Sequence, residues 1–142
     1  MTIKTKEIKM PAKLNLILQI TGKRVDGYHF IDSIMQSIDL YDTIKITIKE
    51  NSKREKNDKP LIKIKTVYSK LLQTKCPNIL ADDLLKVPEA PEKNICGKVA
   101  LKFIELYKLN ADIDIKIKKC IPIGAGLGGG SADGAGVALL LN

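Results

Sequence analysis

Near the end of the chain, Pro122 to Gly136 reads PIGAGLGGGSADGAG and holds seven of the ten glycines in the protein. Glycine gives up more conformational entropy on folding than any other residue, so such a cluster needs a geometric reason. The flanks narrow the choice. Ala111 to Lys119 (ADIDIKIKK) alternates at period two, as a strand does, and SADGAGVALLL predicts a helix beginning at Ser131. A linker would be polar, whereas this stretch carries Ile121, Ile123, Ala125 and Leu127 and joins a strand to a helix. A tight turn alone would need one or two glycines. What remains is a phosphate cradle. Without Cβ atoms, backbone N–H groups can close around an anion. The following helix turns its unpaired amides and positive dipole end towards that anion. Ser131, at the junction, can cap the helix or give its hydroxyl to phosphate or to a bound magnesium.

Two familiar cradles do not fit. Aligning Gly124, Gly129 and Ser131 with a Walker A loop puts Gly130 where the lysine must stand. Gly124, Gly126 and Gly129 spell GxGxxG, but the dinucleotide fold wants that motif directly after a buried strand early in a βαβ unit. Here the strand is amphipathic, Pro122 intervenes, and the motif comes late.

The rest of the chain reads as α+β. LNLILQI (Leu14 to Ile20) is apolar enough for a central strand, while Asp42 to Glu50 and Leu61 to Val67 alternate at period two. That alternation predicts antiparallel strands with one covered face. NSKREKNDK between them predicts a polar hairpin or loop. Pro77, Pro88 and Pro91 interrupt Ser69 to Pro91, where a short helix over Ala81 to Lys86 is the most the pattern supports. Asn94 to Leu109 carries Ile95, Val99, Phe103 and Leu106 at helical spacing, with Asn94 as N-cap. The last helix reaches Asn142 without a stop signal, and its VALLL needs cover, so the chain reads as the front part of a longer protein.

Composition excludes several classes. The net charge of +8 comes from lysines spread along the chain, with only Arg24 and Arg54 as arginines and 4% aromatics. Base-reading and stacking residues are thus scarce, and nucleic acid is not an expected partner. A basic surface does suit acidic small molecules such as nucleotides. Cys76, Cys96 and Cys120 form no CxxC pair, and His29 is the single histidine, so no zinc site is expected. No apolar run approaches a membrane span of about 18 residues. The expected location is cytoplasmic, with no membrane partner; oligomeric state is not legible.

PIGAGLGGGSADGAG resembles the second motif of the GHMP kinases: a proline, a few small residues, then Gly-Leu-Gly-Gly-Gly/Ser-Ser. Pro11 to Ile44 is similar to the opening of the diphosphocytidyl-methylerythritol kinases, a branch of that family. The shared pieces are Pro11-Ala-Lys-Leu-Asn15-Leu, Gly27-Tyr28-His29, Asp39 and Asp42-Thr43. The resemblance implies a ribosomal protein S5 domain 2-like N-terminal domain over 1–142, a mainly antiparallel sheet packed on helices with a left-handed βαβ unit. It matches 51–91 poorly, as an enlarged insert, and implies a C-terminal domain that these residues do not contain. The implied reaction is ATP-dependent phosphorylation of the 2-hydroxyl of a cytidine-diphosphate-linked methylerythritol, in non-mevalonate isoprenoid synthesis. ATP and Mg²⁺ are the implied cofactors, and the cytidine diphosphate substrate is the implied partner.

Carried onto this sequence, the resemblance makes Lys13 catalytic, beside the substrate hydroxyl, and Asn15 a substrate contact on the same strand face. Tyr28 and His29 would hold the cytidine end. Pro122, Ile123, Gly124, Ala125, Gly126, Leu127, Gly128, Gly129, Gly130, Ser131 and Ala132 would wrap the ATP phosphates, with Ser131 towards Mg²⁺. Asn94 and Lys119 stand as neighbours of the adenine pocket, or else as a helix cap and a solvated strand end. Ala132 replaces the second serine of the family pattern. Gly134 and Gly136 would weaken the first helical turns by roughly 1 kcal/mol each relative to alanine. Asp133 favours the helix dipole but would repel phosphate if it faced inward, and it is not assigned a catalytic role. The family's catalytic aspartate lies in a Gly-Ala-Asp-Val-Pro type segment that is not among these residues, so the 142 residues alone are expected to be inactive or nearly so. The alternatives are another GHMP kinase, acting on mevalonate or homoserine, and a non-catalytic nucleotide-binding module.

Overall fold

The computed structural model describes residues 2–50, 60–75, 77 and 86–142. Two long strands, β1 (Ile3–Lys23) and β2 (His29–Glu50), form an antiparallel hairpin. Then come β3 (Ile62–Tyr68), α1 (Lys70–Lys75), α2 (Ile95–Tyr107), β4 (Ala111–Lys119) and α3 (Gly129–Leu141). The sheet order is β1-β2-β4-β3. β2 pairs with β4 antiparallel, but β3 runs parallel to β4. This corrects the antiparallel expectation for Leu61 to Val67. Period-two alternation reports one covered face and carries no information on direction; a connection through α2 is the kind of crossover that parallel neighbours need.

The register explains the core. Ile8, Ile44 and Ile117 pair across β1, β2 and β4; Ile46, Ile115 and Ile64 pair across β2, β4 and β3; Ile48, Ile113 and Ile62 form a third row. Period two puts all of them on one face. Cys96 and Ala100 of α2 and Val137 and Leu140 of α3 cover that face. Each fully buried isoleucine contributes about 1.5–3 kcal/mol. Val137 and Leu140 of the terminal VALLL thus find cover within the chain, although Leu139 is exposed. α2 buries only part of the stripe its spacing suggested, with Val99 packed on the core and Phe103 half-buried. Ile95 and Leu106 are exposed, and the fully buried contacts come from the small residues Cys96, Gly97 and Ala100, flanked by Val99 and Ile104.

Small residues also set how closely α3 sits. A Cβ on Gly136 would lie 2.7 Å from Met10 Cγ and 3.3 Å from Ile44 Cγ1. The glycine lets the helix lie against the β1–β2 surface, so an alanine there would collide before its helix propensity could help.

LNLILQI is not a central strand. It lies on edge strand β1, and Leu14, Leu16, Ile17, Leu18 and Ile20 are all exposed. Beyond Ala12 the hairpin extends past the helices as a two-stranded ribbon. Of the helix expected over Ala81 to Lys86, all but Lys86 falls outside the described residues, as does NSKREKNDK; Lys86 lies at a bend. The short α1 had no clear sequence signal. Among the described residues no helix is long and apolar enough to cross a membrane.

Candidate active site

β4 ends at Lys119, and the glycine stretch turns the chain into α3. Gly124, Gly126 and Gly128 all have φ of +74°, alternating with Ala125 and Leu127. Left-handed backbone at every second residue builds the concave N–H nests that bind anions, and only glycine takes it without strain. α3 starts at Gly129, two residues before the expected Ser131. Its N-cap is Gly128, with no side-chain hydrogen bond. Ser131 is therefore not the cap. It is exposed on the first turn of α3, and its hydroxyl has no partner among the described residues. The helix amides that a capping serine would occupy are left for a ligand.

Lys13 joins this loop from β1. Its backbone N–H donates to the Leu127 carbonyl at 3.0 Å. Its side chain crosses the loop so closely that a Cβ on Gly128 would lie 3.0 Å from Lys13 Cγ. Asn15 pairs with Met35 in the same unbroken register in which Lys13 pairs with Ser37, so the two share a face as the sequence implied. Its Oδ1 accepts from Ser33 Oγ at 3.5 Å. A cleft of about 450 Å³ opens between the loop and the start of α2, lined by Asn94, Lys119, Gly126, Gly128 and Ser131 among others. A wider cleft of about 880 Å³ lies along Lys45, Lys63, Lys65 and Lys116. That one is an open, lysine-lined part of the sheet without converging amides, and it contains none of the motif residues.

Asn94 caps α2. Its Oδ1 accepts the Cys96 N–H at 2.8 Å, and its Nδ2 donates to the Pro88 carbonyl at 2.6 Å. The amide is spent on local structure, although the residue borders the cleft. Lys119 is not a solvated strand end. It is 2% exposed, and its Nζ donates to Asp42 Oδ2 and, at 2.8 Å, to Asp133 Oδ2. Asp42 Oδ1 accepts the N–H groups of Cys120 and Ile121 at 2.6 and 2.9 Å. Asp133 Oδ1 is buried and has no hydrogen-bond partner among the described residues.

This triad has one cation between two carboxylates in a dry site. Burial pushes the Asp133 carboxyl up to about 7, against the pull of Lys119, and Asp42 adds to the rise. Burial opposes the charge on Lys119, but the carboxylates of Asp133 and Asp42 outweigh it and hold the ammonium above its usual range. The Cys96 thiol nearby is pushed up to about 12 by burial and by Asp133, so it is a protonated core residue. Asp133 does face inward, yet its charge is opposed by Lys119 and is not turned on a ligand unscreened.

Tyr28 and His29 stand apart from the loop. They follow the turn at the hairpin tip, where Gly27 has φ of +90°, Asp26 Oδ1 accepts the Tyr28 N–H at 3.2 Å, and Arg24 pairs with Asp26. Both are exposed. Along β2, His29 lies eight positions from Ser37, the partner of Lys13, or about 26 Å at about 3.3 Å per residue.

The family described as the GHMP kinases N terminal domain matches residues 94–142, which contain α2, β4, the glycine loop and α3. The 4-diphosphocytidyl-2-C-methyl-D-erythritol kinase of Clostridium beijerinckii is 38% identical over 96% of this chain. The chain is thus similar to GHMP kinases, over residues 94–142 to the N-terminal domain family and over nearly all of its length to this relative. It spans 39% of the length of that relative. A crystal structure of 4-(cytidine 5'-diphospho)-2C-methyl-D-erythritol kinase superposes with a TM-score of 0.63 at 26% identity, covering 96% of this chain and 39% of the other. The homoserine kinase of Cytophaga hutchinsonii shares the fold, with a TM-score of 0.58 at 17% identity, covering 94% of this chain and 33% of its own. The α+β expectation holds: this is the GHMP kinase N-terminal arrangement.

The triad is what sequence reasoning missed in this GHMP kinase loop, and a signal for it existed. Asp42 shares the phase of Ile44, Ile46 and Ile48, and Lys119 that of Ile113, Ile115 and Ile117. A charge in the buried phase of an alternating strand calls for a buried partner.

Proposed function

We propose that the complete protein carrying this segment transfers the γ-phosphoryl group of ATP to the 2-hydroxyl of 4-diphosphocytidyl-2-C-methyl-D-erythritol, a step of non-mevalonate isoprenoid synthesis. The observation that carries the reading is the joining of two distant motifs: Lys13 is bonded to Leu127 and laid across Gly128. A lysine fixed beside a phosphate nest sits where negative charge develops as the phosphoryl group moves. The loop amides and the first turn of α3 would hold the phosphates. Asn15 would orient the alcohol on the Lys13 face, and Tyr28 and His29 would take the cytidine at the far end of the ribbon. Relatives of this name over 96% of the chain support that substrate over mevalonate or homoserine.

The chemistry of the donors fits magnesium only in part. The free Ser131 hydroxyl is a suitable oxygen, but among the described residues no cluster of acidic side chains completes a metal site. Magnesium would then arrive with ATP and neutralise phosphate charge, with Ser131 as its one protein oxygen here. Lys13 Nζ has no ion-pair partner among the described residues, which leaves its charge for the phosphates.

The test is phosphotransfer by the complete protein to the cytidylated alcohol, to mevalonate and to homoserine. The cytidylated alcohol should be strongly preferred, and Lys13→Ala should lower kcat by about 10²- to 10³-fold. Preference for mevalonate or homoserine would overturn the substrate. ATP binding with no transfer to any of them would make the protein a nucleotide-binding module.

A further inference from the structure

Asp42 is fully buried on β2, and the reaction proposed above makes no use of it. A buried carboxylate costs several kcal/mol unless its partners repay it, and an isoleucine, as at Ile44 two residues on, would fill the same face. Its two oxygens do separate work. Oδ1 accepts the N–H groups of Cys120 and Ile121, the residues that lead from β4 into the glycine loop. Oδ2 accepts from Lys119, which also bonds Asp133 in the first turns of α3. One strand residue thus grips the start of the loop directly and its end through Lys119.

We propose that Asp42 is a positioning residue for nucleotide, setting the distance between the two ends of the phosphate loop and so the aim of its amides. The inference rests on the nucleotide-binding reading of that loop. Between its ends the loop is left-handed at every second residue, and among the described residues its one other bond to the sheet runs from the Lys13 N–H to Leu127. Glycines free to take such backbone are free to leave it, so the ordering must come from outside the loop. A loop ordered beforehand loses less entropy when ATP arrives, and loosening it weakens ATP binding before it touches the alcohol site. Because Lys119 is engaged by two carboxylates, it anchors the loop, and the phosphates are left to other cations such as Lys13, laid across Gly128, and Lys93 on the cleft wall.

The test uses Asp42→Asn and Asp42→Ala in the complete protein. Binding of N-methylanthraniloyl-ATP with Mg²⁺ is titrated beside KM for ATP, KM for the alcohol, and the urea midpoint. Asp42→Ala should raise Kd and KM for the nucleotide about tenfold or more while KM for the alcohol stays within about twofold. Asp42→Asn should raise them only about threefold, since its amide oxygen still accepts the two backbone N–H groups. A purely structural role would lower the urea midpoint and leave nucleotide affinity of the folded variants unchanged, and that result overturns the proposal. If Asp42→Ala does not fold, an unchanged Kd in Asp42→Asn overturns it alone. A wild-type protein that binds the analogue but does not phosphorylate the cytidylated alcohol removes the substrate assignment only, and the variant Kd values still decide Asp42. A wild-type protein that binds no nucleotide overturns both.

Discussion

The β1–β2 hairpin has two halves of similar sequence character and opposite fate. In the inner half, Ile8 and Met10 on β1 and Ile44 and Ile46 on β2 pack under α3, and Asp42 anchors the glycine loop. In the outer half, Leu14, Leu16, Leu18, Ile20, Ile31 and Ile34 are as apolar, yet all are more than 40% exposed. Both halves belong to the same two antiparallel strands, although the register shifts between Pro11/Ala12, Asn15/Ile17 and Ile20/Gly22 all fall at the junction or in the outer half. What differs is the layer above. A two-stranded ribbon has no core of its own, so its side chains are buried only where something else lies on them. In the proposed function the two halves would also divide the work, with the glycine loop anchored on the packed half through Asp42 and Tyr28 and His29 at the free end.

That contrast can be broken by substitution. The largest effect is expected from Lys119→Ala, which leaves the Asp42 and Asp133 carboxylates facing each other in a dry site. Removing one partner of a buried ion pair costs about 3–5 kcal/mol, to be read from urea denaturation, and a loss below about 1 kcal/mol would show that water already reaches the triad. Next is Gly136→Val. Its side chain must push Met10 or Ile44 aside, and overpacking of this kind costs about 1–3 kcal/mol; thermal unfolding that is unchanged would mean that α3 stands further from the sheet than these contacts say. The smallest is Leu16→Ser on the outer ribbon, which should shift the stability of this chain by no more than about 0.5 kcal/mol. A loss above 1.5 kcal/mol, well beyond that range, would place a packing partner on the ribbon and erase the contrast.

Much of the inner half could be read from the sequence because its rules are local. The alternation of Ala111 to Lys119 gave β4 with the same ends, and Asn94 was legible as a cap because a cap acts within its own turn. The glycine loop was legible as backbone that needs residues without a Cβ, and three of its glycines are left-handed. The direction of β3 was not legible, since both pairings bury the same face. Nor was the exposure of LNLILQI, because an apolar run states a need for cover without saying what supplies it.

By itself, then, the sequence determined which residues face inward, where the chain must bend and which motifs it carries. It even marked Asp42 and Lys119 as charges in a buried phase. Only the tertiary structure decided that those charges meet each other and Asp133, residues up to 91 positions apart by number. Only it decided that Lys13 comes to rest on Gly128. Backbone conformation is set by near neighbours, but the partner of a buried charge is set by which strands pair and in what register, and that depends on the whole sheet.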